Sequence, residues 1–217
     1  MALETVKRAL LTGVGSMHVQ KMTNGDLVSS SVKPTYDEKT FATPSVQKLG
    51  TALTIVDKKV YLSNQLHTLI KKITKAELTL DAGYFPEGLA EELQGMKKVG
   101  EKGAWAMPSN PKPIPFRLGV PFTDENNNSQ IFNFPYCFLT PVEQSAETEG
   151  EDYNEQIKQF KIEALPLPFE VEIDGHKDKY VFHQVDLSNS DSAAYYDEKK
   201  LLQQGWFDAE TLDAAKK

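Results

Sequence analysis

A mainly β fold with one short flanking helix is what this sequence predicts, and three observations predict it. Between 75 and 82, Ala76, Leu78, Leu80 and Ala82 alternate with Lys75, Glu77, Thr79 and Asp81, so a strand puts every apolar group on one face. From Pro86 the period changes: Leu89, Ala90 and Leu93 fall at i, i+1 and i+4, which gathers them on one side of a helix. Pro86 suits the first helical position, and Gly95 is placed to end the helix in a left-handed conformation. Turn signals supply the third observation, with Asn24-Gly25 and Asp174-Gly175 each marking a reversal between strands. Neither a half-buried strand nor a short amphipathic helix can bury its apolar face alone, so the helix is expected to pack on a sheet built from the rest of the chain.

With 217 residues, 40% hydrophobic and 25% charged, the chain reads as one domain over 1–217 with long excursions, a length at which sandwiches and barrels are common. A net charge of −7 gives no general support for sequence-independent binding to phosphate backbones, which depends on clustered Lys and Arg. The single cysteine, Cys137, excludes an intrachain disulfide and a cysteine-rich zinc site, and reads as a core thiol. The N-terminal residues lack a basic region followed by a long apolar run, and no segment approaches the ~20 apolar residues of a bilayer span. The expectation is a chain made in the cytoplasm, without a cleaved export signal and without a membrane partner.

Taken in order, residues 10–22 suggest one twisted strand closing at Asn24-Gly25. Residues 26–47 begin with Ser- and Pro-rich sequence of neither period, and read as an extended loop. Residues 48–56 form a strand, Asp57-Lys58-Lys59 a turn, and 60–62 the returning strand. Leu66, Leu69, Ile70 and Ile73 look helical for a turn or two, although the β-branched residues favour early conversion to strand. Residues 97–115 read as a second long loop. Strands at 114–122 and 130–140 flank a polar loop, with Pro121 and Pro135 requiring an edge or a bulge because each removes a ladder donor. Residues 143–152 form an exposed acidic loop. Strands follow at 157–165, 169–173 and 179–185, and 186–217 is a C-terminal arm with Leu201, Leu202, Trp206 and Phe207, in which Asp208 caps a last helix.

Catalytic chemistry finds no constellation here. His18, His67, His176 and His183 form no ligand-spaced pair, and the segment Asp174-Gly-His-Lys-Asp178 is explained by its hairpin without metal. The glycines at 13 and 15 lack the ending of a phosphate loop. No nucleophile elbow surrounds any serine. No catalytic, cofactor or metal residue is therefore assigned. Trp105, Tyr195-Tyr196 and Trp206-Phe207 suit stacking on sugars or bases, but such aromatics more often anchor cores or protein interfaces.

The residues at 48–55 (KLGTALTI), 60–62 (VYL), 75–80 (KAELTL), 85–95 (FPEGLAEELQG) and 160–168 (FKIEALPLP) together resemble the major tail tube proteins of long-tailed, non-contractile bacteriophages. The resemblance spans most of 48–185. It departs from the family at Phe85, where a hydroxyl cap is expected before the helix proline, and it does not reach the N-terminal excursion or the C-terminal arm. What it implies is a tail-tube-type β-sandwich with one short flanking helix. Six copies close into a ring, and rings stack into the hollow tube through which phage DNA leaves the head without specific binding. Tape measure, tail terminator and tail-tip proteins are the implied partners, and the virion, assembled in the host cytoplasm, is the implied location.

Within that expectation Val28, Val32 and Phe41, which have no local core, and Trp206 and Phe207 are candidate inter-subunit contacts. Glu77, Asp81, Glu170 and Glu172 occupy polar strand faces and are candidates to line the channel, where carboxylates repel phosphates over about a Debye length, ~8 Å at physiological salt. The same faces are equally compatible with outer surface or subunit contact. Two alternatives stand beside the tube subunit: a β-sandwich module for carbohydrate binding or host adhesion, and a related ring or terminator protein of the tail.

Overall fold

The computed structural model describes residues 9–62, 65–86, 88–141 and 157–217, with backbone alone for 60–62 and 65–69. The first strands are β1 (Leu11–Val14), β2 (Met17–Met22), β3 (Tyr36–Thr43), β4 (Val46–Leu62) and β5 (Gln65–Ala82). Helix α1 (Leu89–Leu93) and the small hairpin β6 (Lys97–Val99) and β7 (Ala104–Ala106) follow. Then come β8 (Phe116–Asp124), β9 (Ser129–Leu139), β10 (Lys158–Ala164), the hairpin β11 (Val171–Ile173) and β12 (His176–Asp178), and β13 (His183–Asp186). Three short helices close the chain: α2 (Ser190–Tyr195), α3 (Glu198–Gln203) and α4 (Ala209–Asp213).

Among the described residues nine strands form one sheet in the order β3-β2-β8-β9-β10-β5-β4, with β1 beside β8 and β13 beside β9. Every pairing is antiparallel. Met17 and Val19 near one end of this order share a core cluster with Ala76, Leu78 and Leu80 near the other. The sheet therefore curls over itself into a sandwich-like body, with β1 coming close to β4. The alternation read from the sequence sets the inside: Ala76, Leu78, Leu80 and Ala82 are all buried. Leu89 and Leu93 of α1 plug the same interior, each contributing about 1.5–3 kcal/mol of burial.

The end of α1 follows from local chemistry. Met96 N–H donates to Glu91 O at 2.9 Å and Gly95 N–H to Glu92 O at 3.0 Å, the paired bonds of a Schellman ending, with Gly95 at φ 81°. The helix itself starts at Leu89 behind Gly88, three residues later than the proline placed it. The Asp174-Gly175 turn joins β11 to β12, with φ 51° and 77°, as an Asn/Asp-Gly hairpin requires. Pro135 lies in a bulge, since Phe116 pairs with Cys137 and Leu118 with Phe134, leaving Pro135 and Tyr136 opposite Arg117. Pro121 sits in β8 with its carbonyl accepting from Gly15 at 2.8 Å. Its missing N–H thus faces the interruption between β1 and β2.

Several expectations are corrected. Residues 26–47 are not one extended loop: Tyr36–Thr43 pairs with β2 as an edge strand, and β4 starts at Val46. The turn before it is held by Asn24, whose side chain donates to Lys33 O and accepts from Thr35 N, both at 2.8 Å. Asp57-Lys58-Lys59 is not a turn but the middle of β4, paired with Lys71, Ile70 and Leu69. Residues 66–73 are strand throughout. Of the strand read at 179–185 only 183–185 is strand, within β13, and the strand that returns from the Asp174-Gly175 turn is β12 at 176–178. The acidic loop at 143–152 lies outside the described residues.

Gly95 tests the account of α1. An added Cβ there meets Lys112 O at 2.5 Å, whereas at Gly100, with a similar φ of 74°, nothing lies within 4 Å. Gly100→Ala should lose only about 1 kcal/mol from its backbone conformation, and Gly95→Ala about 2–3 kcal/mol because Lys112 backbone must also move. Urea midpoints measure both, and equal losses would contradict the close packing of the segment at 112 on the helix end.

Candidate functional site

Two features stand out from the body, one projecting and one buried. The projecting feature is the distal half of the β4–β5 hairpin. Seventeen and eighteen residues long, these strands outrun their neighbour, because β10 pairs with β5 only from Ala76 to Ala82. Past Leu53 and Ala76 they pair only with each other among the described residues. Cross-strand register puts Ile55 with Ile73 and Asp57 with Lys71 on one face, and Val56 with Lys72 and Lys58 with Ile70 on the other. Neither face is covered: Ile55, Val56 and Ile70 are each just over half exposed, and Lys58, Lys59, Lys71 and Lys72 are exposed with them. A two-stranded ribbon is at best marginally stable in water, and aliphatic side chains on both faces of this one are the kind of exposed apolar surface that marks interaction sites.

The buried feature is Arg117 on β8. Phe116, Leu118 and Val120 point into the main core, so Arg117 and Gly119 point out of the opposite face, and Arg117 is nonetheless 0% exposed. The C-terminal arm covers it. Its Nε donates to Asn133 Oδ1 at 2.5 Å, Nη1 to Leu202 O at 2.7 Å and Nη2 to Leu201 O at 2.5 Å. Those carbonyls belong to the last turn of α3, where intrahelical donors run out and the helix end carries partial negative charge. Asn133 in turn donates to Trp206 O, and Trp206 Nε1 donates to Leu201 O at 2.9 Å. Among the described residues no carboxylate forms an ion pair with Arg117. Burial lowers its pKa to about 10, which leaves it charged at neutral pH. Gly119 makes the room: a Cβ there would lie 2.8 Å from Nη2.

This geometry corrects the assignment of Trp206 and Phe207 as subunit contacts. Each is 2% exposed; Trp206 belongs to a cluster with Ile131 and Leu201, and Phe207 to one with Met22 and Val171. Of the other candidates, Val28 packs beside the Phe207 cluster. Phe41 is half-buried against the main core with Lys39 Nζ 4.5 Å from its ring centroid. Val32 is 42% exposed. The signal that located the arm's anchor was present in the sequence as a lone arginine inside the apolar run 114–122. What it bonds to was not.

Nor do the acidic candidates form one wall. Glu77 and Asp81 share the outward face of β5, but Lys75 Nζ lies 2.8 Å from both Glu77 and Glu163. The hydrogen bond from Lys75 holds Glu77 below the usual carboxylate range. Gln159 caps Asp81 at 3.0 Å, while Lys48 and Lys161 stand beside Asp81 and Thr79 in register. The face is therefore charge-balanced, not a carboxylate ladder. Glu172 lies apart on β11, with Lys177 at 3.7 Å, and Glu170 precedes that strand.

Among the described residues no group of three His, Cys, Asp or Glu could hold a metal ion. Cys137 is fully buried, and burial pushes its thiol pKa upward. A shallow, half-open cavity of about 390 Å³ lies between β1 and the β8–β9 turn. Its Asp124 already accepts from Asn126 N, Asn128 N and Asn128 Nδ2, and these bonds draw its pKa down against the effect of burial.

No family model matches this sequence, and comparison with characterised proteins finds no match. Among the solved structures with similarity to this chain are two from one phage-tail-like particle. The tube-terminating cap of the anti-feeding prophage shares 9% identity over 84% of this chain and 95% of that one, with a TM-score of 0.46. A chain of the anti-feeding prophage baseplate shares 8% over 87% of this chain and 100% of that one, with a TM-score of 0.36.

Arg117→Met leaves Leu202 O without its donor, Leu201 O with Trp206 Nε1 alone and Asn133 Oδ1 without the guanidinium, and should cost about 3 kcal/mol, with Trp206 emission shifting to the red. Unchanged stability would show that the tail docks without the guanidinium. A second expectation concerns pH. Burial between Tyr180 and Trp206 pushes His183 down to about 4, against the pull of Asp208. The unfolded imidazole titrates near 6.5, so it binds more protons than the folded one between these values. The stability that neutral His183 supplies is complete above about pH 6.5 and lost as pH falls through about 4, by up to about 3 kcal/mol. His183→Phe should flatten the pH dependence of the urea midpoint across that window, and an unaltered slope would contradict the assignment.

Proposed function

We propose that this chain is the major tube subunit of a phage-type tail, a structural protein whose copies form hexameric rings stacked into a hollow tube for DNA passage. The observation that carries the proposal is the β4–β5 arm. A strand pair that outruns its sheet and exposes aliphatic groups on both faces is unfavourable for a free monomer, and is what a self-assembling subunit requires. The strand-to-helix unit from 75 to 95, which carries part of the resemblance to tail tube proteins, gives Ala76, Leu78, Leu80, Leu89 and Leu93 to the main core. The charge-balanced outward face of β5 supports the reading from another side. A wall with salt-bridged carboxylates presents neither a strong attraction nor a strong field to a passing phosphate backbone. No enzymatic activity is proposed. The tape measure, terminator and tip proteins of such a tail are the expected heterologous partners, and the phage particle the expected location.

Negative-stain electron microscopy of the purified protein tests the proposal. Rings and long hollow tubes are expected as concentration rises. A stable monomer that is retained on a glycan array would overturn it in favour of a carbohydrate-binding module.

A further inference from the structure

The β4–β5 arm joins the body at a break in its own ladder. Within the body Leu49 pairs with Leu80, Thr51 with Leu78 and Leu53 with Ala76, residue against residue, up to Thr54 and Lys75. The next pair is Ile55 with Ile73, so Thr74 is an extra residue on β5 with none opposite it. Its Oγ1 donates to Thr54 O at 3.3 Å, which ties the extra residue across to the other strand. The break falls where support ends. The last β5 residue that pairs with β10 is Ala76, and Lys75, beside the extra residue, is pinned to β10 by its 2.8 Å bridge to Glu163.

The sequence of the arm itself favours this break. In an unbroken ladder Ile55 would stand opposite Thr74 and Lys58 opposite Lys71; with the extra residue Ile55 meets Ile73 and Lys58 meets Ile70. Asp57 meets a lysine in either register. Like charges directly opposite are destabilising, whereas apolar pairs are stabilising, so the register with the bulge is the better one for these residues.

A bulge bends the strand that carries it and increases its twist. Beyond Leu53 and Ala76 no third strand pairs with the arm among the described residues, so nothing else in the sheet sets its direction. A heterologous contact closes a ring or propagates according to the rotation it imposes. The angle of a projecting ribbon is therefore a property of the assembly, controlled at one residue that need touch no neighbour. We propose that the bulge at Thr74 aims the β4–β5 arm, and that this direction sets the rotation between one ring and the next. This rests on the tube reading above and names the part of the chain that governs its geometry. Thr74 is a positioning residue in this scheme, acting through the arm it directs.

Deletion of Thr74 takes out the bulge and leaves every other pair, and both faces of the arm, in place. Spin labels at Lys58→Cys on the arm and Lys161→Cys on β10 report the arm's direction in the monomer by pulsed electron resonance, with the buried Cys137 unlabelled. The path along β4 from Leu53 to Lys58 is untouched by the deletion, so a changed distance is a changed direction. A shifted mean distance is expected, and an unchanged one overturns the inference. Should the deleted chain not fold, Thr74→Gly decides: a broadened distance distribution, narrow again in Thr74→Ser, is expected, and a distribution like that of the unaltered protein overturns it. In assembly, the deletion should raise the concentration needed for tube growth about tenfold or more and change the rotation between rings in any tubes that form. Growth at the normal concentration with the normal rotation overturns the inference and leaves the tube reading intact. Unaltered protein that forms neither rings nor tubes removes the tube reading and the ring rotation with it, while the monomer distances decide by themselves whether Thr74 aims the arm.

Discussion

The body of this protein depends on a guanidinium that has been taken completely out of water. Arg117 projects from the start of β8 on the face away from the main core, and a cation there is tolerable only if its donors are filled. β9 supplies one acceptor, Asn133, and the C-terminal arm supplies the carbonyls of Leu201 and Leu202. Hydrogen bonds to a charged donor are roughly twice as strong as neutral ones, and the last turn of α3 offers carbonyls that have no helical partner. The tail therefore closes the body because the charge requires it and the helix end can provide it. Leu201, Leu202 and Trp206 then complete a second core against Ile131 and Val185.

That closure decides which surfaces are left over. With the tail folded onto its own chain, the apolar groups at 201–207 are used internally and offer nothing to a neighbour. The β4–β5 arm is the reverse case. Its inner half is held between β10 and solvent with one buried face, and its outer half has none, so folding the monomer does nothing for Ile55, Val56 or Ile70. The division of labour between a self-satisfied body and an unsatisfied ribbon is what the proposed assembly rests on.

Much of the fold was legible because its causes are local. The change of period between β5 and α1, the left-handed stop at Gly95, the Asp174-Gly175 turn and the bulge at Pro135 each follow from a few neighbouring residues. The arm was not legible for a physical reason: a ribbon exposed on both faces is under no demand to alternate, so Asp57-Lys58-Lys59 carries the polarity of a turn while pairing as strand. The edge strand β3 was hidden in the same way, since only part of it, as at Thr43 and Phe41, faces other residues. The docking of Trp206 and Phe207 was out of reach because it depends on Arg117, more than eighty residues away in sequence. Alternation put Glu77 and Asp81 together on the outward face of β5, but the Lys75 bridge that ties Glu77 to Glu163 required the neighbouring strand.

Hydrogen exchange of the monomer and of the assembled protein tests the central claim most directly, because it reads the body and the arm separately. The account predicts slow exchange in both states for β8, β9 and residues 201–207. For residues 53–62 and 65–75 it predicts rapid exchange in the monomer and strong protection on assembly. Arm amides equally protected before and after assembly, or a tail at 201–207 that becomes protected only in the assembled state, would contradict it.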